Sequence, residues 1–427
     1  MKVLVITVGS RGDVQPYVAL GKGLQAAGHA VTVATCSSFE PFITDHGLEY
    51  GYLNDDFLML LDSAEGRAAM EDGSGVLGAI KTNIRLAQQA NPINRGLLRD
   101  AWEAARQVNP DVIVYHPKAL AGPHLAEKLG VPAVLALPVP THVPTGDFPV
   151  IGVLNLPLGS WYNRQTYRLV GAGFRMYDKM VNTFRQESLG LGRTAGATMA
   201  TRLPDGSPIP VLHGISKHVL PRPADWPHHV HLTGYWFLDD AGSWQPPTEL
   251  VDFLDAGDPP VYVGFGSMAG RDPRRITDAV VEGLRRANVR GIIATGWGGL
   301  ATGDLPDTVL RIAQAPHDWL FPRVSAVVHH GGAGTTAAAL RAGKPSVICP
   351  FIIDQFFWGR RVAALGAGSA PVPQKKLTPQ RLAAAIHQVR TNAEIRATAA
   401  ELGRRIGQED GVAEAVARIE AVLNRVG

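Results

Sequence analysis

One pattern constrains this chain more than any other: a strand, a glycine-rich turn, a helix and a second strand, found at the N-terminus and again from residue 261. Val3 to Val8 is a run dominated by β-branched residues, as expected of a parallel strand covered on both faces. Gly9-Ser10-Arg11-Gly12 breaks it, and Pro16 is placed where a first helical turn tolerates proline. Val18, Leu20 and Leu24 then follow at helical spacing, Gly28-His29 ends the helix, and Val31 to Thr35 reads as the next strand. The second occurrence runs from Val261-Tyr262-Val263-Gly264 through a glycine loop and a helix at Ile276 to Ala287, to the strand Arg290 to Thr295. Two such βαβ starts predict two α/β domains rather than one large sheet.

The chain has 427 residues, which at roughly 100–200 residues per domain allows two to three domains. A proline- and tryptophan-rich passage, from Pro221 through Trp226 to Trp244-Gln245-Pro246-Pro247, separates the two βαβ starts. The expected division is therefore 1–240 and 241–427, with the last helix able to pack back on the first domain. Further strands are expected at Asp111–Tyr115, Ala133–Ala136, Ile209–Leu212, Ala326–Val328 and Ser346–Cys349.

Charge excludes one class of partner. Lys and Arg number 41 against 38 Asp and Glu, a net charge of +3, which does not suit a protein that binds nucleic acid by neutralising phosphates. Cys36 and Cys349, both in strands, cannot form a disulfide framework or a zinc cage. No run reaches the 18 or so apolar residues of a transmembrane helix, and the N-terminus lacks a signal-peptide core, so the expected location is cytoplasmic.

The densest chemical signal is His329-His330-Gly331-Gly332-Ala333-Gly334-Thr335-Thr336, between a strand and an alanine-rich helix. Glycines let the backbone approach an anion, a helix start offers free N–H groups, and two threonines add hydroxyls. No lysine stands in the Walker position, and the first βα turn lacks Gly-x-Gly-x-x-Gly, which weighs against a nicotinamide-dependent oxidoreductase. The chain also has no Asp-x-Asp for a divalent ion.

With this turn, the runs Ala315-Pro316-His317-Asp318-Trp319 and Asp354-Gln355 resemble the sugar-nucleotide signature of the inverting UDP-glycosyltransferases. The N-terminal Gly9-Ser10-Arg11-Gly12-Asp13-Val14-Gln15-Pro16 is similar to that of the sterol 3β-glucosyltransferase branch and its bacterial natural-product relatives. The resemblance implies the GT-B fold: two Rossmann-like domains facing a central cleft, with acceptor bound by the first and nucleotide sugar by the second. It implies no metal and no cofactor beyond the donor. Carried over, His330, Gly332, Gly334, Thr335 and Thr336 would hold the diphosphate, with Ser267 reaching it from another loop. His317 would lie against the base, and Asp354 and Gln355 would bind sugar hydroxyls. Plant members have Trp at Gln314 and a ribose-binding Glu at Ala338, so UDP and TDP both stay open. Asp354 also reads as a helix N-cap, though beside the amide of Gln355 it suits a hexose better.

Asp13 stands where many relatives carry their catalytic histidine. It reads either as the base on an acceptor hydroxyl or as a helix N-cap. His116, after the strand ending at Tyr115, could pair with Asp13 or simply close that strand. Residues 139–180 are rich in aromatic and apolar side chains suited to a lipophilic acceptor, and Ser10, His142, Phe148, Trp161 and Phe174 are its expected contacts. The expected reaction moves glucose or a similar hexose from UDP to a hydroxyl of an acceptor such as a sterol. The alternative is a macrolide or polyketide glycosyltransferase using a TDP-deoxysugar.

Overall fold

A computed structural model describes residues 1–62, 76–196, 201–203, 206–240, 242, 244–266, 273–295 and 305–424. The chain forms two compact units, Met1–Leu238 together with Asp410–Gly427, and Asp239–Glu409.

The first unit holds a seven-stranded sheet in the order β3-β2-β1-β4-β5-β6-β7. Its strands are β1 Lys2–Ile6, β2 Ala30–Cys36, β3 Glu49–Leu53, β4 Val112–Tyr115, β5 Ala133–Leu137, β6 Val211–His213 and β7 Val230–Leu232. All neighbouring pairs are parallel. β1, β4 and β5 are buried along their length, apart from Lys2, because helices cover both faces. On one face, α1 (Arg11–Ala26) presents Val14, Tyr17, Val18 and Leu24 to Val3, Val5, Val31 and Val33. The C-terminal helix Gly411–Leu423 adds Ala415, Val416 and Ile419 to the same core, so the end of the chain completes the first unit.

The second unit is a five-stranded parallel sheet in the order β10-β9-β8-β11-β12. Its strands are β8 Val261–Gly264, β9 Gly291–Ala294, β10 Val309–Ile312, β11 Ala326–His329 and β12 Ser346–Ile348. Val263, Phe265, Val280, Leu284, Val328, Leu382 and Ile386 centre one core, and Tyr262, Ile292, Leu320 and Phe321 the core on the opposite face.

Both sheets reverse direction beside their first strand. The chain builds outward from β1 through β2 to β3, then returns to lay β4 on the other side of β1; β8 and β11 repeat this arrangement. At such a switch point the loops after two adjacent strands diverge and leave a crevice at the strand ends. The loops so placed are Val8–Ser10 and His116–Lys118 in the first unit, and Phe265–Gly266 and His330–Gly332 in the second.

Three strands were absent from the sequence reading: β3, β7 and β10. Each is an edge strand; the fourth edge, β12, was expected because Ser346–Ile348 is fully buried. β3 alternates between exposed and buried positions, so it lacks the continuous apolar run that marks the interior strands. Pro16 is a second departure. The helix starts at Arg11, so Pro16 lies inside α1 rather than in its first turn. The early start follows from Ser10 and Asp13, described next.

Candidate active site

In the first unit, Ser10 takes the N-cap position of α1 and Asp13 the third helical position. Asp13 is therefore not the N-cap. Its Oδ2 accepts from the Ser10 N–H at 2.8 Å and from the Ser10 hydroxyl at 3.2 Å, the acidic half of a capping box. The Asp13 carbonyl accepts from Thr7 Oγ1 at 2.6 Å, tying the helix start to the end of β1.

His116 follows β4, where its N–H donates to the Ile6 carbonyl at 2.8 Å. That register carries the imidazole to Asp13, with Nε2 3.3 Å from Oδ1. The ring is buried, with its edge against Tyr17 at a centroid distance of 5.7 Å. Its Nδ1 accepts from the Lys118 N–H at 3.1 Å, which assigns the proton to Nε2, facing the carboxylate. Burial depresses the basicity of His116 more than Asp13 raises it, so the ring is a neutral donor.

Lys118 is the residue the sequence reading missed. Its Nζ lies 2.9 Å from Asp13 Oδ1. Desolvation opposes ionisation of Asp13, but Lys118 and the His116 hydrogen bond outweigh it and hold the carboxyl well below the usual range. The signal was available: Lys118 stands two residues after His116, on the loop that the switch point brings beside Asp13.

The acceptor candidates divide. Ser10 is at the site. His142 hydrogen-bonds Thr141 Oγ1 at 2.7 Å and packs 6.2 Å from the Phe174 ring. Burial, with a smaller contribution from His116, pushes His142 down to about 4. Phe148 is half-buried. Trp161 turns outward and is 71% exposed, so it lines no wall here.

In the second unit, the glycine turn caps β11. His329 is fully buried, and its Nδ1 accepts from the Gly331 N–H at 3.1 Å. Gly331 has φ +95°, and a Cβ there would meet the Ile348 side chain at 2.7 Å. Gly332 is the N-cap of the helix Ala333–Arg341, and a Cβ on it would collide with His330 Nε2. Burial pushes His330 down to about 4 despite its bond to the Gly264 backbone, and its Nδ1 is buried without a partner among the described residues. Gly334 is exposed and Thr335 half-exposed at the first turn of this helix, where free N–H groups suit an anion.

Thr336 has a different role from the one expected. It is fully buried, and its hydroxyl donates to the Gly332 carbonyl at 2.9 Å, so it stabilises the turn from behind. Gln355 likewise turns inward. Its Oε1 accepts from the N–H groups of Phe351 at 2.7 Å and Ile352 at 3.1 Å, capping the helix Ile353–Ala364. Asp354 is half-exposed at the second position of that helix and is not its N-cap. The preceding Ile353 has φ +30°, a conformation costly for a β-branched residue. His317 stacks on Phe321 at 4.3 Å, and Trp319 packs against Trp244 and beneath Arg323. Ser267 lies outside the described residues.

Among the described residues no helix is long and apolar enough to cross a membrane, and no cluster of three or more His, Cys, Asp or Glu could hold a metal ion.

Residues 3–143 match the glycosyltransferase family 28 N-terminal domain, and residues 292–422 the erythromycin biosynthesis protein CIII-like C-terminal domain. A sterol 3-beta-glucosyltransferase of Neosartorya fischeri is 37% identical over 98% of this chain, and one of Arabidopsis thaliana 38% over 97%. The chain spans 29% of the fungal protein and 64% of the plant one. Among solved structures, the glycosyltransferase of kitacinnamycin superposes with a TM-score of 0.72 at 20% identity, covering 99% of both chains. The calicheamicin glycosyltransferase CalG4 gives 0.70 at 20% identity, over 100% of this chain and 99% of its own. These likenesses show the GT-B fold. The chain thus joins a match to the glycosyltransferase family 28 N-terminal domain with a match to the erythromycin biosynthesis protein CIII-like C-terminal domain, on a GT-B fold.

Proposed function

We propose that this protein transfers glucose, or a similar hexose, from UDP to a hydroxyl of a hydrophobic acceptor such as a sterol, with inversion at the anomeric carbon. The observation that carries this reading is the carboxylate of Asp13, partly exposed and held by Ser10, His116 and Lys118 at a switch point. The two relatives named above are sterol 3-beta-glucosyltransferases, which supports a sterol as acceptor.

In the proposed reaction the acceptor oxygen attacks the anomeric carbon from the side opposite the diphosphate. The new C–O bond forms as the bond to the diphosphate breaks, and the hydroxyl proton passes to Asp13. Fixed donors orient the carboxylate, so only the acceptor has to be positioned. Because Asp13 is a weak base, it accepts the proton late, when bond formation has already acidified the hydroxyl. His116 stays neutral and orients Asp13 through Nε2–H.

The departing diphosphate gathers charge as the bond breaks. The free N–H groups and positive dipole end of Ala333–Arg341, with the Thr335 hydroxyl, would stabilise it. Neutral His330 would contribute a hydrogen bond rather than a charge. Asp354 would bind the sugar, while Gln355 would shape its loop.

The second reading, a TDP-deoxysugar transferred to a polyketide, keeps the same chemistry. The C-terminal match to an erythromycin biosynthesis domain favours it. A screen of UDP- and TDP-sugars against sterols and polyketides, read by mass, separates the two. A glucosylated sterol formed from UDP-glucose supports the first; products only from TDP-deoxysugars would replace it with the second. No product from any pair would overturn both. Cytoplasmic location is part of the proposal.

A further inference from the structure

The segment just before the helix Gly159–Phe174 carries a run of solvent-exposed apolar side chains. Leu154, Leu156 and Leu158 are 74%, 42% and 60% exposed, and Trp161 follows at the start of the helix. The loop is held by its own backbone. The Leu156 N–H donates to the Leu154 carbonyl at 3.2 Å and the Leu158 N–H to the Leu156 carbonyl at 2.8 Å, two successive three-residue turns. Tyr162 Oη donates to the Leu154 carbonyl at 2.7 Å and fastens the loop to the helix. The loop therefore satisfies part of its own backbone while presenting leucines to the outside.

The adjoining helical surface is cationic. Arg164 is three residues after Trp161 and Arg168 four further on, on the same helix; a 3-10 turn, Arg175–Tyr177, leads on into the helix Asp178–Glu187, and Arg175 and Lys179 are exposed along that stretch. Asp225 pairs with Arg164 at 2.8 Å, leaving Arg168, Arg175 and Lys179 as exposed cations; Asp178, between two of them, is half-buried.

We infer that the leucine loop Leu154–Leu158 and the basic face of residues 161–179 form a docking surface for an anionic lipid bilayer. The leucines and Trp161 enter the interface, where an aromatic ring sits at headgroup depth, and the three cations meet lipid phosphates and carboxylates. Charge argues for lipid over a second copy of this chain. A two-fold self-contact would set this cationic face against itself, whereas an anionic leaflet complements it. The surface would bring the first unit to the phase in which a lipophilic acceptor dissolves, although binding does not depend on the identity of that acceptor.

The test is co-sedimentation of the full chain with phosphatidylcholine–phosphatidylserine vesicles and with pure phosphatidylcholine vesicles, with light scattering of the protein alone. Two variants are compared: Leu154→Ser/Leu156→Ser/Leu158→Ser and Arg168→Glu/Arg175→Glu/Lys179→Glu. All six side chains are exposed, so both variants should keep the wild-type thermal midpoint, checked by circular dichroism. The wild type should sediment with the anionic vesicles, and less so in high salt. The charge variant should lose about tenfold or more of that affinity. The leucine variant should lose a comparable amount that salt does not restore. A wild type left in the supernatant with both vesicles, or a leucine variant that binds as well as wild type, overturns the inference. So does a wild-type dimer that the leucine variant dissociates, since that assigns the face to a second copy.

Discussion

Lys118 Nζ lies 2.9 Å from Asp13 Oδ1, so the carboxylate at the first switch point meets a cation as well as the neutral imidazole of His116. The lysine side chain is 43% exposed, whereas His116 is enclosed. Of the two partners of Oδ1, the ammonium is thus the one that an incoming acceptor can displace. While in place it stabilises the ionised carboxylate and weakens the base.

Removing that cation should move the acid limb of the pH–rate profile. Asp13 is held below its ordinary range, so its charged form persists to low pH; without Lys118 its pKa rises, and the limb moves to higher pH. We expect Lys118→Met to shift the acid limb of kcat/KM upward by about one pH unit, and Lys118→Arg to leave it near wild type. An unmoved limb in Lys118→Met would show that the lysine does not act through Asp13.

Gly332→Ala should separate binding from folding. The backbone of Gly332 is extended, so alanine fits the chain itself, but the new methyl must displace His330. UDP affinity should fall about tenfold or more, while the thermal midpoint changes little. Isothermal titration with UDP and a thermal melt read the two effects; unchanged affinity would remove His330 from the diphosphate site.

The adjacent threonines should respond differently. Thr335→Val removes a hydroxyl from the open turn and should weaken UDP binding without loss of stability. Thr336→Val removes the buried bond to Gly332 and should cost about 1 kcal/mol of stability. Urea melts paired with UDP titrations distinguish these outcomes, and equal affinity losses would contradict the division.

Acid should destabilise the fold before ordinary carboxylates titrate. Burial holds His330 and His142 at about 4 and His213 at about 3, against 6.5 when exposed. Between these values the unfolded chain binds more protons than the folded one. The stability from keeping these rings neutral is therefore complete above pH 6.5 and is lost as pH falls towards 4. Denaturant midpoints from pH 7.5 to 4.5 should decline across this window; a flat profile would contradict the burial of these rings.

Interior strands and glycine turns were readable because each leaves a local mark: a β-branched run, or glycine where backbone or ring leaves no room for a Cβ. The edge strands β3, β7 and β10 were not, because Glu49, His231 and Arg311 interrupt that run, whereas the edge strand β12 is buried throughout and keeps it. Side-chain direction was also hidden. Thr335 and Thr336 look equivalent in sequence, yet adjacent positions on a helix point to different sides, and only one reaches the open turn. Gln355 reads as a sugar ligand beside Asp354 until its amide oxygen is seen to hold Phe351 and Ile352. Lys118 and Asp13 are 105 residues apart, and only the pairing of β1 with β4 brings them together.

The most direct test of the account is the rate of glucosyl transfer from UDP-glucose to a sterol in Asp13→Asn, measured by product mass alongside UDP affinity. Asparagine keeps the shape of the side chain and can still accept the Ser10 N–H, but it cannot take a proton. The account predicts a fall in kcat of about a hundredfold or more with UDP affinity unchanged. Transfer at close to the wild-type rate would contradict it.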